Sequence, residues 1–480
     1  MSGTERRRHR HRIAQSPSTK SRFALLTRAT ATLRGSPRLA IFLCFLILAA
    51  LGGGVARWDA LSLLYVRPAA VITIGLLVIA PGSWNWQGLR LPMVLLAAFT
   101  ATIAIQLIPL PPSIWTHLTG RTPYLQAAIV SGIPQPWRPI SLLPYRTANS
   151  LLATLPAFAT LVALAGIPRR DWRVLSDTLL VLCCVSGILG ALQFVTGSLY
   201  PYDPSDVGLP IGLLANRNHQ ALLLAIGILL LAQWGIRNGW NERAARVRLG
   251  ATLAGILVLI TIILLTGSRT GLALMLIAVT VIFATGIVRI VRARTRSVPL
   301  LLLACSPFAM IALAAYVAQD SSFMRLSRSA GQLGEDMRLL ALPTVWNIAL
   351  QYLPWGTGFG SFDRIFMQFE PDALLVRGYF NRAHSDPLEV MIAGGIPSLT
   401  VVFLFLLWYA RNSISIFTVA SVDPTYGRRV AVLAILLALL ASLVDYPLRT
   451  PFLSVVFLLL CGFISSPTAL DDAEHRRERT

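Results

Sequence analysis

Apolar residues run along this chain in blocks rather than in alternation. Blocks long enough to cross a bilayer, roughly 17 to 25 residues each, fall near 39–56, 66–81, 91–110 and 149–167. Others follow near 174–196, 212–235, 249–266, 271–290 and 298–318, and the last three near 387–410, 428–444 and 451–468. The pattern predicts an all-α, polytopic membrane protein with about twelve transmembrane helices, because only helices satisfy their own backbone polar groups inside lipid. No internal repeat interrupts the series.

The polar connections orient the helices. "PRRDWR" at 168, "IRNGWNERAARVR" at 236, "RIVRARTRS" at 289 and the segment from Arg411 to Arg429 are basic and fall on alternate turns of the chain. Cytoplasmic connections hold the excess of Lys and Arg, which predicts cytoplasmic placement for these turns, for the basic arm 1–38 and for the tail 469–480. The longest opposite connection, 319–386 between helices nine and ten, is mildly acidic, with Asp320, Glu335, Asp336, Asp363, Glu370, Asp372 and Asp386. It is expected on the outer face. The first apolar block lies too far from the basic start and is too long for a cleaved signal peptide.

Composition alters this picture little. The 480 residues are 55% hydrophobic and 13% charged, which argues against a separate soluble domain. The net charge of +21 marks one membrane face rather than a nucleic-acid partner. Lys20 is the only lysine, a bias of base composition rather than of chemistry. Cys44, Cys183, Cys184, Cys305 and Cys461 all sit in apolar blocks, so no disulfide framework or metal motif is indicated.

Four polar clusters fall on the expected outer face. They are Asn216, Arg217, Asn218 and His219; Gly267 to Gly271 around Ser268 and Arg269; Arg382, His384, Asp386 and Glu389; and Asp445, Tyr446 and Arg449. Each also has a plain structural reading. Arg269 can snorkel to headgroups beside ordinary turn residues, and the asparagines can cap a helix. Asp386, Pro387 and Glu389 have the spacing of a capping box, with Asp386 as N-cap and Glu389 at N3. Asp445 and Arg449 can pair with each other across a short loop. His117 stands alone and is given no role. Guanidinium groups bind phosphate oxygens as a fork and stay charged, while neutral His suits removal of a proton from a hydroxyl. The combination suits attack of an acceptor hydroxyl on a carbon that leaves a lipid-linked diphosphate, whose charge the arginines stabilise.

"NRNHQA" at 216, "TGSRTG" at 266, "WGTGFGSF" from Trp355 to Phe362 and "HSDPLEVMIAGGIP" from His384 resemble, in order and spacing, the O-antigen ligase and polymerase (Wzy-C) superfamily. The resemblance covers about 205–468 including the 319–386 loop, while 39–204 matches only as a set of membrane helices. It implies a GT-C-like inner-membrane glycosyltransferase, metal-independent, without cofactor and inverting. The donor would be an undecaprenyl-diphosphate-linked glycan. The acceptor would be lipid A core, nascent polysaccharide or a protein hydroxyl, at the periplasmic face. By motif match His384 would be the general base, with Arg217, Arg269 and Arg338 as diphosphate ligands. Asn216, Asn218, His219, Arg382, Asp386, Glu389, Asp445 and Arg449 would support them. A link to a polysaccharide export complex fits this role. Ser385, Pro387 and Thr270 depart from the usual family residues. Two rivals are a twelve-helix transporter or flippase for a lipid-linked or anionic substrate, and a non-catalytic scaffold. A transporter built from two halves should carry charges near the midplane, whereas these clusters gather at helix ends.

Overall fold

The computed structural model describes residues 36–202, 207–236, 242–293, 333–375, 380–418 and 427–465. The expected block near 298–318, residues 1–35 of the basic arm, part of the outer loop and the tail 469–480 lie outside the described residues. The remaining expected blocks each coincide with helix. In chain order these are α1 Pro37–Gly52, α2 Leu63–Ile79, α3 Arg90–Ile105, then α4 Pro112–Trp115, α5 Thr122–Val130, α6 Pro144–Leu152 and α7 Leu155–Gly166. They continue with α8 Trp172–Thr196, α9 Arg217–Gly235, α10 Glu242–Leu265, α11 Arg269–Ala293, α12 Leu333–Tyr352, α13 Phe362–Phe366, α14 Asp386–Thr418, α15 Arg428–Val444 and α16 Pro451–Ile464. Among the described residues, five helical stretches are long and apolar enough to cross a membrane, α6 and α7 counting as one, and shorter apolar helices accompany them.

Helix α9 is the axis of the C-terminal half. It packs against α8, α10, α11 and α15, and its side chains are buried from Asn218 through Leu231. A helix apolar all round belongs inside a bundle. Close approach of α11 to α9 requires Gly271, where a Cβ would stand 2.3 Å from the Ala221 Cβ. The N-terminal half packs α2 on α1, and α7 on α2 and α16, so the last helix ties the two halves together.

The long connection 319–386, expected on the outer face, is not an irregular loop where it is described. Helix α12 packs along α14, and α13 joins the same layer. Tyr352, Phe362, Phe366 and Ile392 share a separate apolar core there. Hydropathy alone missed α12 because the helix carries charged residues and an internal Pro343.

Helix α14 is expected as one uninterrupted span near 387–410, and here the structure differs. Gly395, at φ 60° and ψ −157°, breaks it two residues before Pro397. Such a break frees carbonyls, and a buried carbonyl without a partner is costly. The turn at 354–359 supplies the partners. Thr357 N–H donates to Ile392 O at 2.9 Å, Gly358 N–H to Ala393 O at 3.0 Å, and Ile396 N–H to Pro354 O at 2.9 Å. Gln106 Nε2 adds a second bond to Ala393 O at 2.8 Å. Gly356 and Gly358 sit at φ 79° and 95°, and a Cβ on Gly356 would meet Ala393 O at 2.5 Å. The glycine pattern of "WGTGFG" therefore serves the break in α14.

Candidate functional site

The four polar clusters meet. Asp445, 1% exposed, ends α15 and is the meeting point. Its Oδ2 accepts from Asn218 Nδ2 at 2.7 Å and from Asn216 Nδ2 at 3.4 Å. Its Oδ1 accepts from Tyr446 N–H at 3.0 Å. His384 Nδ1 stands 3.7 Å from the same oxygen and His219 Nε2 stands 3.9 Å from it. These are ion-pair distances, longer than hydrogen bonds.

Local sequence explains how each group is held. Asn216 is the N-cap of α9, and its side-chain oxygen accepts from Asn218 N–H at 2.7 Å. Ser268 plays the same part for α11, accepting from Gly271 N–H at 2.8 Å. The Ser268 hydroxyl then donates to Asn218 Oδ1 at 2.7 Å. Asn218 thus has its oxygen bonded to Ser268 and its amide bonded to Asp445, which fixes its orientation. The cap and the site readings are therefore not alternatives: the same residues do both.

The two histidines differ in access. His219 is 2% exposed, with Nδ1 paired to Thr450 Oγ1 at 3.2 Å and its ring edge-on to Tyr446. His384 has a side chain 15% exposed. It lies two residues ahead of α14 at φ 48°, a left-handed conformation unusual for a side chain of this size. The Tyr446 ring packs on one side at 5.2 Å and Phe380 lies at 6.4 Å. Burial pushes the His384 imidazole below its ordinary pKa, against the pull of Asp445, with Arg338 adding to the downward shift. Burial alone would raise the Asp445 carboxyl, but His384, His219 and Arg338 together hold it well below the usual carboxylate range. Burial and the Asp445 charge push the Tyr446 phenol up to about 12. At neutral pH the arrangement is a neutral imidazole beside a carboxylate, a pairing able to take up a proton.

A second cluster lies against the first, and here two expectations are corrected. Glu389, 1% exposed, binds Arg382 Nη1 at 2.9 Å and Arg449 Nη1 at 3.2 Å. Arg449 Nε also donates to Asp386 Oδ1 at 3.0 Å. Arg449 therefore does not pair with Asp445. Arg382, bound to Glu389, also donates to Ala56 O at 2.8 Å. Asp386 and Glu389 do not form the expected capping box. Ser385 O takes the first helical bond, from Glu389 N–H at 3.0 Å, while the Glu389 side chain accepts from Ala383 N–H at 3.2 Å. A buried charge needs an opposite charge more than it needs a backbone donor, and the two arginines meet that need.

Of the remaining expected residues, Arg338 lies on α12 within electrostatic reach of His219, His384 and Asp445. Half-buried Arg217 and exposed Arg269 open α9 and α11, each one residue from a member of the Asn218 and Ser268 relay. Sequence reasoning missed Arg146 and Asp363, a buried pair at 3.3 Å. The only signal was that Asp363 follows the glycine turn directly.

Several long apolar helices point to a multi-pass membrane protein, with a buried charged centre where helix ends meet. Residues 254–404 match the family model described as O-antigen ligase. That match, over less than half of the chain, is a similarity to the O-antigen ligase/polymerase superfamily. It takes in the Ser268 turn, α12, the glycine turn and His384. No curated protein matches the chain.

Proposed function

We propose that the protein transfers a glycan from a polyprenyl (undecaprenyl) diphosphate carrier to an acceptor hydroxyl at the periplasmic face of the bacterial inner membrane. It would act as an O-antigen ligase or as an O-antigen or exopolysaccharide polymerase. The observation that carries this reading is the convergence on Asp445 of four motifs spread from Asn216 to Thr450, with accessible His384 at 3.7 Å. His384 removes the proton of the acceptor hydroxyl. Asp445 keeps the imidazole oriented and stabilises it once protonated. Arg217, Arg269 and Arg338 hold the diphosphate and stabilise the charge that develops as it leaves. Direct displacement at the anomeric carbon inverts its configuration. The α12 and α13 layer excludes water, which would otherwise hydrolyse the donor.

The test is reconstitution with a lipid-diphosphate glycan and candidate acceptors. His384→Ala and Arg269→Ala are each expected to lower transfer by at least about a hundredfold, and normal transfer by both variants overturns the assignment. The transporter reading has one observation in its favour: the break in α14 at Gly395, since interrupted helices build substrate sites in transporters. Against it, that break is closed by the glycine turn, and the charged groups lie at helix ends. Substrate-dependent uptake into proteoliposomes that survives His384→Ala would favour it.

A further inference from the structure

A cavity of about 430 Å³ lies between the N-terminal helices and α14 to α16. Phe99, Val402, Phe405, Leu439 and Phe457 give it apolar walls. Its lining extends along α16 from Pro451 to Cys461, about 15 Å of helix. This volume is of the size that takes a ligand. None of Arg217, Arg269, Arg338, His384 or Asp445 contributes to its wall. The cavity is thus distinct from the proposed diphosphate site, although Arg382 and Arg449 reach both it and the Glu389 cluster.

At one end this cavity adjoins a small polar pocket, and Arg57, Trp58, Ser150 and Arg382 line both. Asp59, Arg146, Asp363 and Asn381 complete the polar pocket. Trp58 is 42% exposed, with the Arg146 guanidinium 3.9 Å over its ring and Tyr145 edge-on at 6.2 Å. An aromatic ring beside planar Arg, Asp and Asn groups is suited to a sugar, whose C–H faces stack and whose hydroxyls both donate and accept. The three arginines of the polar pocket are paired. Arg57 is paired with Asp59 at 2.8 Å, Arg146 with Asp363 at 3.3 Å, and Arg382 with Glu389 at 2.9 Å. Each arginine of the polar pocket thus has a carboxylate partner, whereas Arg67, in the adjoining cavity wall, is bound to Asn149 Oδ1, so displacement by an anionic lipid is a direct test.

We infer that the apolar cavity and the Trp58 pocket together bind the sugar-bearing lipid acceptor, its hydrocarbon in the cavity and a neutral sugar against Trp58. Arg382, which lines both the pocket and the cavity, stands two residues before His384 in the chain. The inference rests on the transfer reaction proposed above for the word acceptor, but the binding site can be tested without it.

The probe is a dodecyl maltoside carrying a photoreactive diazirine at the chain end, added to the full-length protein in nanodiscs. Crosslinked peptides are mapped by mass spectrometry. Label is expected on α3 and on α14 to α16, with a loss of about fivefold in Trp58→Ala and a comparable loss in the cavity-filling Val402→Trp. Thermal unfolding checks that both variants are folded, and Leu439→Phe serves if Val402→Trp is not. Unlabelled dodecyl maltoside should displace the probe; dodecyl phosphate and undecaprenyl diphosphate should not. Label elsewhere, or label unchanged by Trp58→Ala, overturns the inference. Displacement by dodecyl phosphate would make this an anionic-lipid site, and displacement by undecaprenyl diphosphate would make it the donor's; either also overturns it. His384→Ala should label normally, so a failed base assignment and a failed lipid site give different results.

Discussion

Two charged clusters sit side by side in this protein, fed by the same two stretches of chain, and they are built on opposite principles. Around Glu389, two arginines meet two carboxylates at 2.9 to 3.2 Å, so formal charge closes on itself. Around Asp445, one carboxylate is held by asparagine and backbone donors, while two histidines stand off at 3.7 and 3.9 Å. Positions 382, 386 and 449 serve the first cluster, and 384 and 445 serve the second. A closed ion-pair network is suited to holding α14 to the rest of the bundle. An open one, with a ring that can gain a proton, is suited to chemistry. Proximity to a charged motif therefore says little about role; what decides it is whether a group's partners already saturate it.

The sharpest way to break this contrast is to compare His384→Ala with Glu389→Gln. The first is expected to lower glycan transfer by about a hundredfold or more while unfolding is unchanged. The second leaves two buried arginines short of an anion and should cost about 3 to 5 kcal/mol of stability, read as a lower unfolding temperature in detergent. If Glu389→Gln is stable but inactive, the division of labour is wrong.

A smaller effect is expected at Gly395. Gly395→Ala places a side chain at φ 60°, where a Cβ would approach Pro354 O at 2.1 Å, so a loss of roughly 2 kcal/mol or more is expected. Gly356→Ala on the facing turn should behave alike, and the double variant should lose less than the sum, because both act on one contact.

The pH profile gives a finer test. With His384 as the proposed base, transfer would need its neutral form, and burial lowers its pKa, so activity should persist below the ordinary imidazole value of about 6.5 and fall at more acidic pH. Asp445 pulls that pKa upward. In Asp445→Asn the acid limb should therefore move to still lower pH, with a reduced plateau. A limb that moves upward, or does not move, removes Asp445 from its place beside the base. The smallest effect belongs to His117→Ala, which should leave transfer unchanged.

Much of this was legible along the chain. Helix positions followed from blocks of apolar residues, and the polar motifs at the ends of those blocks, expected together on the outer face, do meet in the structure. Asn216 and Ser268 could be read as caps because capping is local. Three things were not legible. Asp386 and Glu389 have capping spacing, yet Arg449, 60 or more positions away, claims them. The "GGIP" stretch looks like continuous helix until the glycine turn is seen bonding to its free carbonyls. Arg146 and Asp363 carry no motif of their own.

By itself, then, the sequence determined the membrane-spanning helices, the caps, the glycine turn and the set of polar residues from which a site is built. Those depend on hydropathy and backbone preference within a few residues. Only the tertiary structure decided which carboxylate is neutralised and which is left beside a histidine. It also decided where α14 breaks, and that a cavity opens between the two halves. The reason is physical: a buried charge takes the nearest opposite charge, and nearness is set by packing. Asn218 and Asp445, bonded at 2.7 Å, stand 227 positions apart.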